Sequence, residues 1–374
     1  MYLQIIGGFI LLLGGAEVMV RGAVGLSERL GVSKLVIGMT VVAFGTSAPE
    51  LLVSLNAALA GSPGLAVGNV VGSNIANILL ILGAAGLIMP IACGARELVK
   101  DGLVLAIGTG AFMALAMRGA IDLLGAVVLL IVFAGFIYYS FWREKIVDGG
   151  GLAGEVDEFE AVPHSLWLAA LLLIAGFAGL YFGSELLIEG GIQIAKSFGV
   201  SEAVIGLTIV AFGTSLPELA ASGMAAYRKH TDVALGNVVG SNIFNVVGIM
   251  GVVGAITPLE MPARVLEFDM WAMALATVLL MFYLIGGRRS LGRAEAAVFL
   301  LLYGAYIAAI AFGIDEMIAR HLVRPGIYHL RVNINIARGH YKQAIADLDT
   351  VLRLRDDIPD VYNDRAWLLA TVPQ

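Results

Sequence analysis

Charged side chains are scarce in this sequence, and their scarcity decides the class of protein. Only 14% of the 374 residues are Asp, Glu, Lys or Arg, whereas 59% are hydrophobic and the mean hydropathy is +0.90. Soluble domains carry roughly 25% charged residues, so an ordinary soluble fold is excluded. Charges are sparse in blocks of the sequence, which leaves apolar stretches that are each long enough to cross a hydrocarbon core of about 30 Å as an α-helix. Ten such stretches lie at about 3–20, 35–59, 65–89, 99–117, 121–141, 164–187, 203–226, 233–256, 266–285 and 294–313.

Cysteine, histidine and basic clusters are also in short supply, and each shortage removes a class of function. Cys93 is the only cysteine, which excludes a disulfide framework and a thiolate site for a soft metal. None of the five histidines lies in a polar motif inside a span, so we expect neither an intramembrane enzyme nor a bound cofactor. No basic stripe indicates a nucleic-acid partner. Since no basic n-region precedes 3–20, we interpret this stretch as the first span rather than a cleaved signal.

The ten stretches predict an all-α polytopic membrane protein surrounded by the lipid bilayer, and an internal repeat divides it in two. The octapeptide AFGTSAPE at 43–50 returns as AFGTSLPE at 211–218, an offset of 168 positions. The same offset relates GNVVGSNIAN, which begins at Gly68, to GNVVGSNIFN, which begins at Gly236. Each half holds five spans, and because five is odd the second copy enters the membrane in the opposite sense. We therefore predict ten transmembrane helices arranged as two inverted five-helix repeats.

The repeat and the charge distribution predict the domain boundaries and the orientation. We place the first repeat at 1–141, an acidic linker at 142–163, the second repeat at 164–313, and a linker with a helical tail at 314–374. With the N-terminus outside, twelve Lys and Arg residues lie in inward connections and three in outward ones. The positive-inside rule therefore places the acidic linker in the cytoplasm and both termini outside it. We expect the membrane to be a bacterial inner or plasma membrane.

The tail is polar and has the periodicity of short helices. Tyr328 and Tyr362 are 34 positions apart, as are Arg331 and Arg365. This period resembles that of the tetratricopeptide repeat, in which pairs of helices stack on one another. Such a tail predicts a protein partner that binds to it.

Two carboxylates, Glu50 and Glu218, lie at matching depth in the second and seventh spans. An ionisable residue in hydrocarbon costs about 3 kcal/mol or more and marks a functional site. The preceding prolines, Pro49 and Pro217, interrupt each helix and free carbonyl groups close to the carboxylate. Freed carbonyls are tolerated in a membrane only where protein or a water-filled cavity satisfies them, and a bound cation would do the same. The alternative is a protonated carboxyl that is hydrogen-bonded to a neighbouring helix.

Hydroxyl and amide side chains accompany both carboxylates. Their spacing of three or four residues places them on one face of each helix, and every candidate ligand is an oxygen atom. Such a set suits Ca²⁺, Mg²⁺ or Na⁺, although the serines and asparagines could instead form structural hydrogen bonds between helices. GxxxG motifs at 68–72 and 236–240 predict close approach of two backbones. The side chains are Thr46, Ser47, Thr214 and Ser215 in the second and seventh spans, and Ser73, Asn77, Ser241 and Asn245 in the third and eighth.

The two copies of GTS-x-PE, each followed by GN-VVGSNI-x-N, resemble the sodium/calcium exchangers of the cation/Ca²⁺ antiporter superfamily over residues 1–313. The resemblance implies an inverted-repeat fold with its cation sites between the second, third, seventh and eighth spans. It implies that Glu50 and Glu218 bind Ca²⁺. It also implies that the first and sixth spans, which carry Glu17 and Glu185, slide past this core. The remaining Ca²⁺ and Na⁺ ligands would be Thr46, Ser47, Thr214, Ser215, Ser73, Asn77, Ser241 and Asn245, with the carbonyls of Ala43 and Ala211.

By this resemblance the chain is expected to be a secondary active antiporter that exchanges Na⁺ for Ca²⁺ by alternating access. Asn77 and Asn245 are amides at positions where some relatives have an acid, which leaves two carboxylates in the site and argues against K⁺ dependence. Two alternatives stay open: a glutamate pair could exchange Ca²⁺ for protons, and a membrane-anchored scaffold would use the tail as its working part. For Glu17 and Glu185, a helix-end carboxylate and a gating role are equally open.

Overall fold

The computed structural model describes residues 2–92, 96–147, 165–197, 213–285 and 290–319, together with 332, 335–336 and 341–354. Eight of the described helices are long and apolar enough to cross a membrane. One further pair, Lys34–Thr46 with Ala48–Leu59, is bent by 44° and counts as a ninth span. The predicted all-helical membrane class is therefore confirmed. The predicted count of ten is not, because 203–212 in the predicted seventh span lie outside the described residues.

The elements of the first half follow the predicted spans in chain order. Two of the spans contain a short π-helix, labelled π1 or π2. The elements are α1 (Tyr2–Leu30), α2 (Lys34–Ile37), π1 (Gly38–Val42), α3 (Ala43–Thr46), α4 (Ala48–Leu59), α5 (Pro63–Ala76), π2 (Asn77–Ile81), α6 (Leu82–Ile88), β1 (Ile91–Ala92), α7 (Arg96–Ala116), β2 (Ala120–Ile121) and α8 (Leu123–Val147).

The second half repeats this order where it is described. The elements are α9 (Leu166–Ser197), α10 (Leu216–Tyr227), α11 (Thr231–Ile243), π3 (Phe244–Ile249), α12 (Met250–Ile256), β3 (Leu259–Glu260), π4 (Val265–Asp269), α13 (Met270–Ile285), β4 (Ser290–Leu291) and α14 (Arg293–Ala319), followed in the tail by α15 (Tyr341–Leu354).

Several helices extend beyond the apolar stretches that predicted them. The first span, predicted at 3–20, is part of a helix that continues to Leu30. The fifth, predicted at 121–141, continues to Val147 and so enters the predicted linker, of which 148–163 lie outside the described residues. Hydropathy locates only the part of a helix that lipid surrounds, whereas the backbone hydrogen bonds continue into polar sequence.

The described residues belong to two compact units. The larger, Ile6–Glu185 with Thr214–Tyr303, contains every predicted site residue that the structure describes. The smaller comprises Met1–Ile5, Leu186–Gly213 and Gly304–Gln374. In its tail, Asn335 Nδ2 donates a hydrogen bond to Asp347 Oδ2 on α15 at 2.9 Å. One helix is too little to identify a helical repeat, so the tetratricopeptide-like tail stays a prediction.

The third and eighth spans form the centre of the larger unit. In the most apolar 18-residue segment of each of these two spans, 72% and 83% of the residues are buried. The corresponding share is 11% to 39% in the other long helices that are described. Both sequences are rich in glycine, alanine, serine and asparagine, which are small enough for other helices to surround them closely. The GNVVGSN motif of the eighth span is buried throughout, whereas that of the third span has Gly68 exposed and its later residues mostly buried.

Two very short antiparallel sheets connect the halves, and the sequence did not predict them. Strand β1 pairs with β4, and β2 pairs with β3. In addition, Met261 N donates to Gly119 O at 3.0 Å beside the second pair. The sheet of β1 and β4 joins the connection after the third span to the connection before the tenth span. The sheet of β2 and β3 joins the connection before the fifth span to the connection after the eighth span. The two halves are thus held together reciprocally.

The predicted interruption of the second span lies at Ser47, one residue after α3 ends. Ser47 has φ −88° and ψ 8°, and its counterpart Ser215 has φ −88° and ψ 2°. In both cases the proline follows two residues later, in the first turn of the next helix, where its missing N–H costs least. The same local geometry therefore occurs at the serine of both octapeptides, of which 211 and 212 lie outside the described residues.

Glycines allow two pairs of helices to pack with their backbones in contact. A Cβ on Gly240 would lie 2.2 Å from Met39 O, and one on Gly236 would lie 2.7 Å from Leu35 O. The close approach predicted from the GxxxG motif at 236–240 is therefore confirmed. No described atom lies within 4 Å of a Cβ on Gly68 or Gly72, and 203–212, the repeat counterparts of 35–44, lie outside the described residues, so the same prediction for 68–72 is not confirmed. Helices α1 and α9 approach in the same way, since a Cβ on Gly15 would lie 2.7 Å from the backbone carbon of Gly179.

Candidate cation-binding site

The two carboxylates predicted to bind a cation lie in the first turns of α4 and α10. Glu50 and Glu218 are each 1% exposed. Ser47 Oγ, in the first half, donates a hydrogen bond to Glu218 Oε1, in the second half, at 2.8 Å. The structure therefore brings the two octapeptides together in the interior of the larger unit.

The asparagines of the third and eighth spans lie at π-helical turns that face the opposite half. Asn77 begins π2, which contacts α10, and Asn245 lies in π3, which contacts α4. Both side chains are buried, as are those of Ser73 and Ser241. A π-turn adds one residue to a helical turn and commonly occurs at functional sites. Here both π-turns lie where an asparagine was predicted to line the site.

The hydroxyls before the carboxylates are also buried. Thr46 Oγ1 lies 3.2 Å from Asn237 Oδ1 and 3.4 Å from Ala43 O, to either of which it can donate its hydrogen. Ala43 O also accepts from Ser47 N at 3.0 Å. Thr214 and Ser215 are buried at the corresponding kink. The predicted ligand Ala211 lies outside the described residues.

Several buried oxygen and amide atoms in this region have no hydrogen-bond partner among the described residues. A buried polar atom without a partner costs about 1–3 kcal/mol, so such a cluster favours a ligand that oxygen atoms can coordinate. No cluster of three or more His, Cys, Asp and Glu occurs in the described ranges, and this donor set fits a hard cation better than a transition metal. The atoms are Glu50 Oε2, Glu218 Oε2, Ser241 Oγ, and Oδ1 and Nδ2 of both Asn77 and Asn245.

An apolar cavity of about 290 Å³ borders the bend of the second span and the first turn of α10. Its lining includes Pro49 and Pro217, each directly before a carboxylate residue, and Phe177 and Tyr181 from α9. A Cβ on Gly45 would lie 2.2 Å from the Phe177 ring, so the glycine leaves room for this aromatic side chain. Helix α9 therefore covers the side of the site on which the second span is interrupted.

The sequence matches the family described as "Sodium/calcium exchanger protein" over residues 1–142 and 168–312. The chain belongs to this family. It is 30% identical over 346 residues to the sodium/calcium exchanger MaX1 of Methanosarcina acetivorans, covering 83% of this chain and 98% of MaX1. It is 37% identical over 306 residues to CaxA of Alkalimonas amylolytica, covering 80% of this chain and 95% of CaxA.

The fold of this exchanger-family chain is similar to solved structures of the sodium-calcium exchanger NCX_Mj. For NCX_Mj soaked with zero Na⁺ and Ca²⁺, the TM-score is 0.72 at 34% sequence identity, over 82% of this chain and 97% of the other. The family and these relatives are exchangers, so the predictions of a transmembrane antiporter and of a protein that is not an enzyme are confirmed. The match ends at residue 312, and the tail lies beyond it.

A second set of polar residues in the exchanger core was not predicted from the sequence. Asn69 Nδ2 donates to Ser54 Oγ at 3.0 Å, and Asn237 Nδ2 donates to Ser222 Oγ at 2.9 Å. Each bond joins a carboxylate-bearing helix to the glycine-rich helix that follows it. Both pairs obey the offset of 168, so a search for every polar residue repeated at that offset inside a span would have found them.

Glu17 and its repeat counterpart Glu185 occupy different surroundings. Glu17 accepts hydrogen bonds from Arg228 Nε and Arg21 Nε, each at 2.7 Å, and Arg228 Nη2 provides a second bond. Glu185 is exposed. Position 60, the counterpart of Arg228, is an alanine, so the repeat does not reproduce this ion pair. The helix-end interpretation is wrong for both residues, because Glu17 lies within α1 (Tyr2–Leu30) and Glu185 within α9 (Leu166–Ser197). The Glu17 carboxylate is hydrogen-bonded, as that interpretation required, and the gating role stays a prediction.

We expect Arg228→Gln to lower the stability of the exchanger by about 1 kcal/mol, because it removes a bidentate partner from a partly buried carboxylate. The Glu17 and Arg228 side chains are 19% and 35% exposed. Thermal unfolding in detergent at low and high choline chloride measures the effect, which should shrink as salt rises. Arg118→Gln is the control, because Arg118 and Asp122 are 54% and 50% exposed and 3.5 Å apart. Equal effects of the two variants would contradict a stabilising role for the Glu17–Arg228 pair.

Proposed function

We propose that this chain is a secondary active antiporter that exchanges Na⁺ for Ca²⁺ by alternating access. The observation that carries the proposal is the contact between Ser47 and Glu218, which joins both octapeptides around two buried carboxylates. Glu50 and Glu218 would bind Ca²⁺. The other ligands in this proposal are Thr46, Ser47, Thr214, Ser215, Ser73, Asn77, Ser241 and Asn245, together with the carbonyls of Ala43 and Ala211.

The charge of the site provides the coupling between the two ions. Two ionised carboxylates carry about two negative charges, which one Ca²⁺ neutralises and which Na⁺ ions can share. A pocket without cations would hold these charges in a medium of low dielectric constant, where ionised groups are costly. The loaded forms can therefore change conformation more easily than the empty form. This difference makes the flux of one ion depend on the other.

Alternating access would involve the pair formed by α1 and α9. Their backbones touch at Gly15 and Gly179, and small residues at such a contact present a smooth surface with few interlocking side chains. Helix α9 also covers the cavity beside the kinks through Phe177 and Tyr181. Movement of these helices would change access to the carboxylates without repacking the third and eighth spans.

Na⁺ is the proposed counter-ion because hydroxyl and carbonyl oxygens accompany the carboxylates, and because MaX1 and NCX_Mj are both named for Na⁺ and Ca²⁺. Exchange of Ca²⁺ for protons is the second candidate. It is favoured by the buried glutamate pair itself, since each carboxyl keeps one unpartnered oxygen that a proton could occupy.

Ca²⁺ uptake into sealed vesicles distinguishes these two candidates. Full-length protein is reconstituted, and uptake of radioactive Ca²⁺ is followed with a Na⁺ gradient imposed and then with a pH gradient alone. We expect uptake driven by the Na⁺ gradient, with little uptake from the pH gradient and no requirement for K⁺. Uptake that ignores Na⁺ but follows pH would replace the proposal with Ca²⁺/H⁺ exchange.

The membrane orientation and the tail belong to the same proposal. The excess of Lys and Arg in one set of connections supports termini outside the cytoplasm, and the relative YrbG of Escherichia coli, 34% identical over 324 residues, is named an inner membrane protein. We propose a plasma-membrane location for this chain, with 142–163 as a cytoplasmic linker. The tail at 314–374 would bind a protein partner outside the cytoplasm.

A further inference from the structure

Asn237 connects the two halves of the site without being one of the predicted ligands. It is 1% exposed and lies on α11. Its Nδ2 donates to Ser222 Oγ on α10 at 2.9 Å, and its Oδ1 lies 3.2 Å from Thr46 Oγ1, which belongs to the first half. A single buried amide therefore joins both carboxylate-bearing segments.

The orientation of the Asn237 amide is supported by its repeat counterpart. Asn69 Nδ2 lies 3.3 Å from the Glu50 carbonyl oxygen, which can only accept, and 3.0 Å from Ser54 Oγ. The Asn69 amide group must therefore point its nitrogen towards Ser54. Asn237 makes the matching contact to Ser222, so the same orientation directs its nitrogen to Ser222 and its oxygen to Thr46.

This orientation determines what the Thr46 hydroxyl can do. A threonine hydroxyl has one hydrogen to donate and two lone pairs. Both of the neighbouring oxygens, Asn237 Oδ1 and Ala43 O, can only accept, so the hydrogen is directed towards protein. The lone pairs stay available for a cation. Without Asn237, only the longer 3.4 Å contact to Ala43 O would hold the hydrogen, and the hydroxyl could rotate more easily to present it to the cation.

We propose that Asn237 is a positioning residue that holds the Thr46 hydroxyl as a Na⁺ ligand, and that it thereby sets the relative affinity for Na⁺ and Ca²⁺. The inference rests on the proposed function, in which Thr46 is one of the ligands. Ca²⁺ depends mainly on the charge of the two carboxylates, which Asn237 does not supply. Na⁺ carries half that charge and depends more on each neutral oxygen, so the loss of Asn237 should weaken Na⁺ binding selectively.

The test uses purified full-length protein and two binding measurements. Calorimetry gives the Kd for Ca²⁺ without Na⁺, and displacement gives the Na⁺ concentration that releases half of the bound Ca²⁺. For Asn237→Leu we expect this Na⁺ concentration to rise about 5-fold, the size of one net hydrogen bond, while the Kd for Ca²⁺ changes by less than about 2-fold. Thr277→Ala is the control, because it removes a buried hydroxyl that donates to Met273 O at 2.9 Å outside the site.

A double-mutant cycle separates positioning from a general effect on structure. If Asn237 acts through Thr46, then Asn237→Leu should cause no further loss of Na⁺ binding in a Thr46→Val background. Should Asn237→Leu not fold, Ser222→Ala takes its place, and we expect a selective loss of about 2-fold because the amide is then held by one bond fewer.

The possible outcomes separate this inference from the proposed function. Equal shifts in Na⁺ and Ca²⁺ binding, or additive effects in the cycle, overturn the role of Asn237 and leave exchange intact. Wild-type Ca²⁺ binding that does not respond to Na⁺ overturns the proposed function itself. A selective and non-additive loss of Na⁺ binding supports both.

Discussion

Replacing Glu218 by glutamine is expected to reduce Ca²⁺ transport at least about 100-fold, because Ca²⁺ affinity depends on the number of charged ligands. Glutamine has the same shape as glutamate, and its amide oxygen can still accept the 2.8 Å hydrogen bond from Ser47 Oγ. The substitution therefore removes one of two negative charges while the contact between the halves is kept. Glu50→Gln should have a loss of similar size, since Glu50 is equally buried.

The measurement is the initial rate of Ca²⁺ uptake into vesicles under a Na⁺ gradient, normalised to the amount of reconstituted protein. Glu260→Gln is the matched control, because Glu260 is exposed in β3 and lies outside the site. Ser47→Ala adds a second comparison, since it removes the hydrogen bond without changing the charge, and its effect should be much smaller. Transport by both glutamine variants within a few-fold of wild type would show that the carboxylates do not provide the Ca²⁺ site.

Gly240→Ala is expected to prevent the core from assembling or to destabilise it by roughly 3 kcal/mol or more. The new Cβ would lie 2.2 Å from Met39 O and 2.5 Å from Met39 Cα, which are both backbone atoms. A flexible side chain could rotate away, but a backbone can only move with its helix. The second and eighth spans would therefore have to separate, which would disturb Thr46 and Asn237 on either side of the contact.

The yield of monodisperse protein and its Tm in detergent measure this effect. Gly110→Ala is the control, because no described atom lies within 4 Å of a Cβ at that position in α7. Alanine there should leave stability unchanged or raise it by up to about 1 kcal/mol through its higher helix propensity. If both variants purify and unfold alike, the backbones do not touch at Gly240, and the close packing described for this motif is wrong.

The membrane class, the repeat and most of the candidate ligands could be predicted from the sequence. Charges are so costly in lipid that their absence marks the spans, and the offset of 168 pairs residues without any structure. Glu50 and Glu218 were identifiable for the same reason, because an acid in an apolar span needs a partner. The described residues confirm a helical membrane fold of the exchanger family, whereas ten spans and the helical-repeat tail stay predictions.

Other features depend on neighbours that are distant in sequence and could not be predicted in this way. The partner of Ser47 is 171 positions away and that of Thr46 is 191 away, so no local pattern predicts these bonds. The π-turns at Asn77 and Asn245 arise where helices pack against the opposite half, and intrinsic helix propensity contains no signal for them. The pairing of Glu17 with Arg228 also required the fold, because the repeat predicts no such pair from Glu185.

The sequence by itself determined that this chain lies in a membrane, that it consists of two related halves, and which buried oxygen-bearing residues are candidate ligands. The membrane location and the candidate ligands follow from the cost of transferring each residue into lipid, which depends on the residue and its close neighbours, and the two halves follow from the constant offset of the repeated motifs. Only the tertiary structure decided which residues of one half meet which residues of the other. Those contacts form when two helices approach closely enough for a hydroxyl, an amide and a carboxylate to hydrogen-bond, and such an approach is a property of the whole packed core.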